Sequence, residues 1–181
     1  MRADARRNYE RLLSEAKTAF DKHGIHTSLD DIARQAGLGN ATLYRHFPTR
    51  ESLLKTMLHD SIKELGTTAE ELLTTEPAGE ALATWVRAAV AHATTYRGLV
   101  TLLMDSLKDE ASELNNACTS MQSSGKHLLE RAQRSGEVRD DTSPSELFAL
   151  IASAAWAREH APDEADQVLT VLIDGLWPPR R

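Results

Sequence analysis

Cysteine is almost absent from this chain. The single thiol, Cys118, permits no intramolecular disulfide. That excludes the stapled secreted scaffolds and any zinc or iron–sulfur centre built from several cysteines. Long apolar runs are missing too. The longest uncharged apolar run is residues 147–157, eleven residues, where a bilayer span needs about 20. The first ten residues hold no apolar segment of the secretory kind, so neither export nor a membrane partner is expected and a reducing cytoplasmic setting is. Catalytic signatures are lacking as well. There is no G-x-G-x-x-G, no P-loop, no H-E-x-x-H and no G-x-S-x-G, so no enzyme and no cofactor are expected. His23 and His26 straddle Gly24 and do not share a helical face, so no metal site is expected either.

What is present is an ordinary globular composition: 181 residues, 41% hydrophobic and 27% charged, with a formal net charge of −6. An acidic total argues against nucleic acid, but the charge is unevenly spread. Residues 1–50 carry nine Lys+Arg and six Asp+Glu, a net of +3; residues 51–181 carry twelve and twenty-one, a net of −9. Arg2, Arg6, Arg7 and Arg11 cluster at the start, where a flexible arm can reach phosphates or a minor groove.

No stretch alternates apolar and polar over strand length. Apolar residues instead recur at spacings of three and four throughout. Ser143-Pro144-Ser145-Glu146 is a complete capping box with proline in the first turn. The fold class is all-α, with about nine helices.

Residues 28–47, SLDDIARQAGLGNATLYRHF, read as two short helices joined by a tight turn. Ser28 is an N-cap, Ile32 and Ala33 point inward, and Ala36-Gly37 closes the first helix. In the second, Leu43 and Phe47 can pack inward, leaving Asn40, Thr42, Tyr44 and His46 mainly exposed. Asn pairs with adenine edges, Thr touches bases through hydroxyl or methyl, and Tyr and His donate to phosphate. Arg50 follows the cap Thr49 at a helix N-terminus, where the macrodipole disfavours a cation and a bound phosphate would satisfy both.

The run AFDKHGIHTSLDDIARQAGLGNATLYRHFPTRESLL resembles the N-terminal domain of TetR-family transcriptional regulators. Thr42-Leu43-Tyr44-Arg45-His46-Phe47, followed by Pro48-Thr49-Arg50-Glu51, carries most of the likeness. The resemblance implies a helix–turn–helix DNA-binding domain over residues 1–54 and an effector-binding and dimerisation domain over 55–181. It implies a homodimeric repressor on a palindromic double-stranded operator, released by an unidentified small molecule. Carried over by position, Ser28 would meet a phosphate, and Gly39, Asn40, Thr42 and Leu43 would face the major groove. Tyr44, His46 and Arg50 would hold the backbone, with Arg6 and Arg7 reaching DNA from the N-terminal side. Gly39 stands where the family often has serine, and Asn40 where many members carry a basic residue. The competing expectation is an all-α small-molecule binder or enzyme whose helix–turn–helix is only structural.

For the rest, the apolar stripes of the last two helices suggest a four-helix dimer interface through Leu147, Ile151, Ala154, Ala155, Leu169, Leu172, Ile173 and Leu176. The resemblance also implies an effector pocket. Its candidate lining is Met57, Trp85, His92, Tyr96, Leu103, Met104, Met121, His127 and Phe148, each of which also reads as plain core. Cys118, among apolar neighbours, reads as an inert buried thiol.

Overall fold

The computed structural model describes residues 2–106 and 113–177. Among them every regular element is a helix. In order these are α1 (Arg2–His23), α2 (Leu29–Gln35), α3 (Asn40–His46), α4 (Arg50–Leu72), α5 (Ala78–Ala93), α6 (Leu99–Ser106), α7 (Glu113–Arg134), α8 (Pro144–His160) and α9 (Ala165–Leu176). The chain divides into two compact units, one of residues 1–59 with 96–116, the other of 60–95 with 117–181.

In the first unit α1 supplies Leu12, Ala16, Ala19 and Phe20 to a core shared with Ile32, Ala33, Leu43, Phe47, Leu53 and Leu54, all buried. The helix ends where Gly24 adopts φ +78° and returns its N–H to Phe20 O at 2.8 Å. No other residue fits there, because a Cβ on Gly24 would meet Arg97 O at 2.7 Å. The same carbonyl accepts from Ile25 N at 2.9 Å, and Tyr96 lies edge-on to Phe20 with centroids 6.1 Å apart. The residues that open into α6 are thus part of this unit's core. The expected flexible N-terminal arm is instead the first turns of α1, which is helical from Arg2.

In the second unit α5 is buried on nearly every side, and α8 and α9 pack on it and on each other. Trp85 is fully buried, donates from Nε1 to Leu65 O at 3.1 Å and meets Phe148 edge-on at 6.1 Å. Gly125 makes room for it, since a Cβ there would fall 2.4 Å from the indole. Two distant stretches converge on the start of α5. The Glu137 carboxylate accepts from Ala78 N and Gly79 N at 3.3 and 2.9 Å, and the Trp177 ring lies over Gly79, where a Cβ would come within 2.1 Å. Arg139 N–H donates to Leu176 O at 2.9 Å. The anticipated capping box is present: Glu146 N donates to Ser143 Oγ at 3.3 Å and Ser143 N to Glu146 Oε2 at 2.7 Å. Cys118 is buried, and burial pushes its thiol up to about 11, which leaves it protonated and unreactive near neutrality.

Candidate nucleic-acid interface

The site is built on α2, the turn and α3. Ser28 Oγ accepts from Asp31 N at 3.4 Å and starts α2. Gly37, at φ +66°, ends it, and Leu38 N returns to Ala33 O at 2.9 Å. Arg11 reaches across from α1 and donates to the freed carbonyl of Ala36. Gly39 then opens α3 with its carbonyl alone, accepting from Thr42 N and Leu43 N at 2.9 and 3.3 Å, with no side-chain cap.

Two side chains seat α3. Leu43 is 1% exposed, and Phe47 is buried and stacks on Tyr9 with centroids 5.2 Å apart. His46 is half-buried and meets Tyr9 edge-on at 5.9 Å. At 100° per residue Ala41 and Arg45 lie opposite Leu43, Tyr44 lies about 100° round from it and Asn40 opens the helix; all four are exposed. Thr42 lies half-buried at the margin. Such a strip offers an amide, a methyl, a phenol and a guanidinium, and a major groove admits one helix of this width.

Leu43 therefore does not face outward. Its burial against the first unit's core makes it a support for α3 rather than a groove contact. Ala41 and Arg45 were missed by position-wise carry-over. The signal was available, because a helical wheel centred on Leu43 places them opposite it. Arg45 has no hydrogen bond or ion pair among the described residues.

Arg50 also differs from expectation. Its Nη1 donates to Ile25 O and to Thr27 O, the latter at 2.8 Å, so the guanidinium ties the α1–α2 connection to α4. Partial burial lowers its pKa. Beside it, the Tyr44 hydroxyl donates to Asp30 Oδ1 at 3.3 Å, and the Asp30 charge is the main cause that raises the phenol's pKa. Ser28 is exposed at the head of α2. Arg6 and Arg7 lie on the exposed side of α1, paired with Glu10 at 2.8 Å and with Asp4.

The expected effector residues divide between the two units. Tyr96 is spent on Phe20, and Met57 and Leu103 are half-buried in the same unit. The Met104 side chain lies outside the described residues. In the second unit Trp85 is core, Met121 and Phe148 are half-buried, and His127 is exposed, on the solvent side of α7. His92 stands apart. It is 8% exposed, and neither ring nitrogen has a hydrogen-bond partner among the described residues. A groove of about 360 Å³ in this unit is lined by Arg87, Arg158, Asp166, Leu169, Thr170, Ile173 and Asp174, none of them an expected pocket residue.

Most of the expected dimer residues are occupied within the chain. Leu147, Ile151, Ala154, Ala155, Ile173 and Leu176 are buried within their own chain, and Leu169 and Leu172 are half-buried. The six buried side chains belong to the core between α5, α8 and α9, while Leu169 and Leu172 stay partly open. The apolar groups left exposed lie on other faces: Ala149, Leu150 and Trp156 on α8, and Val168 and Val171 on α9.

Two family models match separate stretches of the chain. Residues 12–57 match the family model for bacterial regulatory proteins of the tetR family, and residues 77–178 match the model for the C-terminal domain of SbtR-like transcriptional regulators. The HTH-type transcriptional repressor KstR2 of Rhodococcus jostii (strain RHA1) is 26% identical over 187 residues, covering 93% of this chain and 90% of that one. The TetR transcriptional regulator SCO0520 from Streptomyces coelicolor superimposes with a TM-score of 0.61 at 30% identity, covering 95% of this chain and 99% of that one. A TetR transcription regulatory protein from Mycobacterium vanbaalenii gives 0.53 at 34% identity, with 98% and 99% covered. With a buried-seat α3, an exposed polar strip on it and two family models spanning most of its length, the chain belongs to the TetR family of DNA-binding transcriptional regulators.

Proposed function

We propose that this regulator is a repressor that binds a palindromic operator as a homodimer and is released by a small molecule. The observation that carries the DNA-reading part is the exposed strip Asn40, Ala41, Tyr44 and Arg45 on a helix locked from behind by Leu43 and Phe47. Asn40 and Arg45 supply bidentate groups for base edges, and Ala41 a methyl-sized contact. Tyr44, His46 and Ser28 serve the phosphate backbone. Arg50 acts mainly by holding the loop that carries Ser28.

Homodimer formation rests on the exposed faces of α8 and α9. Trp156 is 49% and Val171 59% exposed, with Leu150 and Val168 beside them in the chain. Helix α8 is apolar around its whole circumference, which suits a helix covered on both sides. Two such helices from each protomer make an isologous four-helix contact. Effector release rests on His92. A buried imidazole with a donor and an acceptor both unused is an unsatisfied pair that a polar ligand can complete. Residues 55–181 are assigned to the effector-binding and dimerising part, working in the cytoplasm. The ligand acts by favouring a form whose reading helices no longer match the operator spacing.

Selection of bound duplexes from a random pool tests the class and yields the operator at once. A palindromic consensus with half-sites about one helical turn apart is expected. Failure to enrich any sequence, with no salt-dependent binding, would sink the proposal.

A further inference from the structure

The two acids of α2 are differently placed. The Asp31 carboxylate is engaged by Arg34 at 2.5 Å, and its N–H by Ser28. Asp30 is exposed, and no arginine or lysine pairs with it among the described residues. Among the described residues its one hydrogen bond comes from the Tyr44 hydroxyl, at 3.3 Å across the helix–turn–helix. An unneutralised carboxylate on the surface offered to a polyanion is an unexpected choice and calls for a reason.

Stoichiometry supplies one. A phenol has a single proton to donate. While that proton is given to Asp30, it is not available to a phosphate. The contact is long for a hydroxyl–carboxylate hydrogen bond, so it is weak enough to be exchanged when something better arrives. The nearby cation cannot neutralise the acid in passing, because Arg50 is anchored to the carbonyls of Ile25 and Thr27. Any duplex approaching Tyr44 therefore has to displace Asp30 from the hydroxyl and tolerate its negative charge beside a phosphate.

We propose that Asp30 is a specificity-determining residue of the reading head: it holds the Tyr44 proton in the free protein and penalises the backbone contacts that every duplex offers. A sequence that repays the cost through base contacts with Asn40, Ala41 and Arg45 is retained, and others are released. Discrimination depends on the ratio of specific to non-specific affinity, so a residue that weakens only the common part improves it. This inference rests on the DNA-reading assignment above and deepens it.

The test uses the full-length protein and two duplexes of equal length, one from the selected pool and one scrambled, titrated over a range of salt. Asp30→Asn keeps the size and the acceptor and removes only the charge. It should bind the scrambled duplex about three- to tenfold tighter with a steeper salt dependence. It should gain less on the selected one, at an unchanged thermal midpoint. Adding Tyr44→Phe to Asp30→Asn should give back part of the gain, because no proton is left to donate. An Asp30→Asn protein whose scrambled-duplex affinity and salt slope equal the wild type's overturns the proposal. So does one that loses affinity for the selected duplex alone, which would make Asp30 a base reader accepting from a cytosine amine. If wild-type protein binds neither duplex, the DNA-reading assignment itself has failed, and that result is distinct from an unchanged Asp30→Asn.

Discussion

Leu43 and Arg45 stand two residues apart on α3 with opposite duties. Leu43 is 1% exposed and Arg45 projects from the far side of the helix. Leu43→Ala should cost about 2–5 kcal/mol of stability through the cavity it leaves, read as a lower denaturation midpoint. Arg45→Ala should leave that midpoint in place and weaken operator binding by about tenfold or more, the loss of one good base contact. If both variants weaken binding only in proportion to lost stability, Arg45 reads nothing. His92 gives a second residue-scale case. Burial depresses its pKa, so the folded protein holds the ring neutral at pH values where the unfolded chain binds a proton. Stability associated with the neutral ring is present above the unfolded value of about 6.5 and falls as the pH drops below it. His92→Leu should therefore flatten the stability profile below about pH 6.5. It should also raise the midpoint near neutrality by removing an unsatisfied pair, a gain of about 1 kcal/mol. Urea melts at several pH values check both points, and an unchanged acid slope would show that the ring is not the group responsible.

At the scale of elements, glycines within helices separate two kinds of position. Gly66 lies in α4 with nothing near the place a Cβ would take, whereas a Cβ on Gly125 in α7 would strike the Trp85 ring at 2.4 Å. Gly66→Ala should stabilise by about 0.5–1 kcal/mol through helix propensity alone. Gly125→Ala should destabilise by about 1–3 kcal/mol by overpacking and shift Trp85 fluorescence. Equal effects from the two would mean that α7 does not press on Trp85. Helices of this kind were readable from the sequence because periodicity and caps agree, as at Ser28 and at Ser143 with Glu146. Which face of α8 and α9 turns inward was not readable. Both faces of α8 are apolar, so the period leaves the choice to tertiary packing against α5, and six of the eight expected dimer residues went to the core. The partners of Arg50 were hidden for another reason. The macrodipole argument called for acceptors at that helix end, but the acceptors are carbonyls 23 and 25 residues away in the chain, a pairing no local pattern records.

For the whole molecule, the charge division noted at the outset acquires a use. Of the nine basic residues in positions 1–50, Arg11 and Arg50 donate to backbone carbonyls, while Arg6, Arg7 and Arg34 pair with acids. Few cations remain for phosphates, so one reading head should bind DNA weakly and association of two heads should be required. Trp156→Asp combined with Val171→Asp places a charge on each exposed apolar face of α8 and α9. It should yield a monomer by light scattering, with normal helical content, and operator affinity should fall by about a hundredfold or more as the second head's avidity is lost. A variant that stays dimeric would move the interface elsewhere.

The scarcity of reactive sulfur then has a practical consequence. Cys118 is buried and its thiol is held at about 11, so the folded chain is nearly silent to maleimides at neutral pH. A single cysteine introduced on an open surface, for example Ala41→Cys on α3 or Ala149→Cys on α8, would be labelled selectively without first removing the native one. In an assembly of two identical chains each such substitution carries its own symmetric pair of spin labels. The separation of the reading helices in the proposed dimer, with and without a candidate small molecule, becomes a distance distribution measured on the otherwise native sequence.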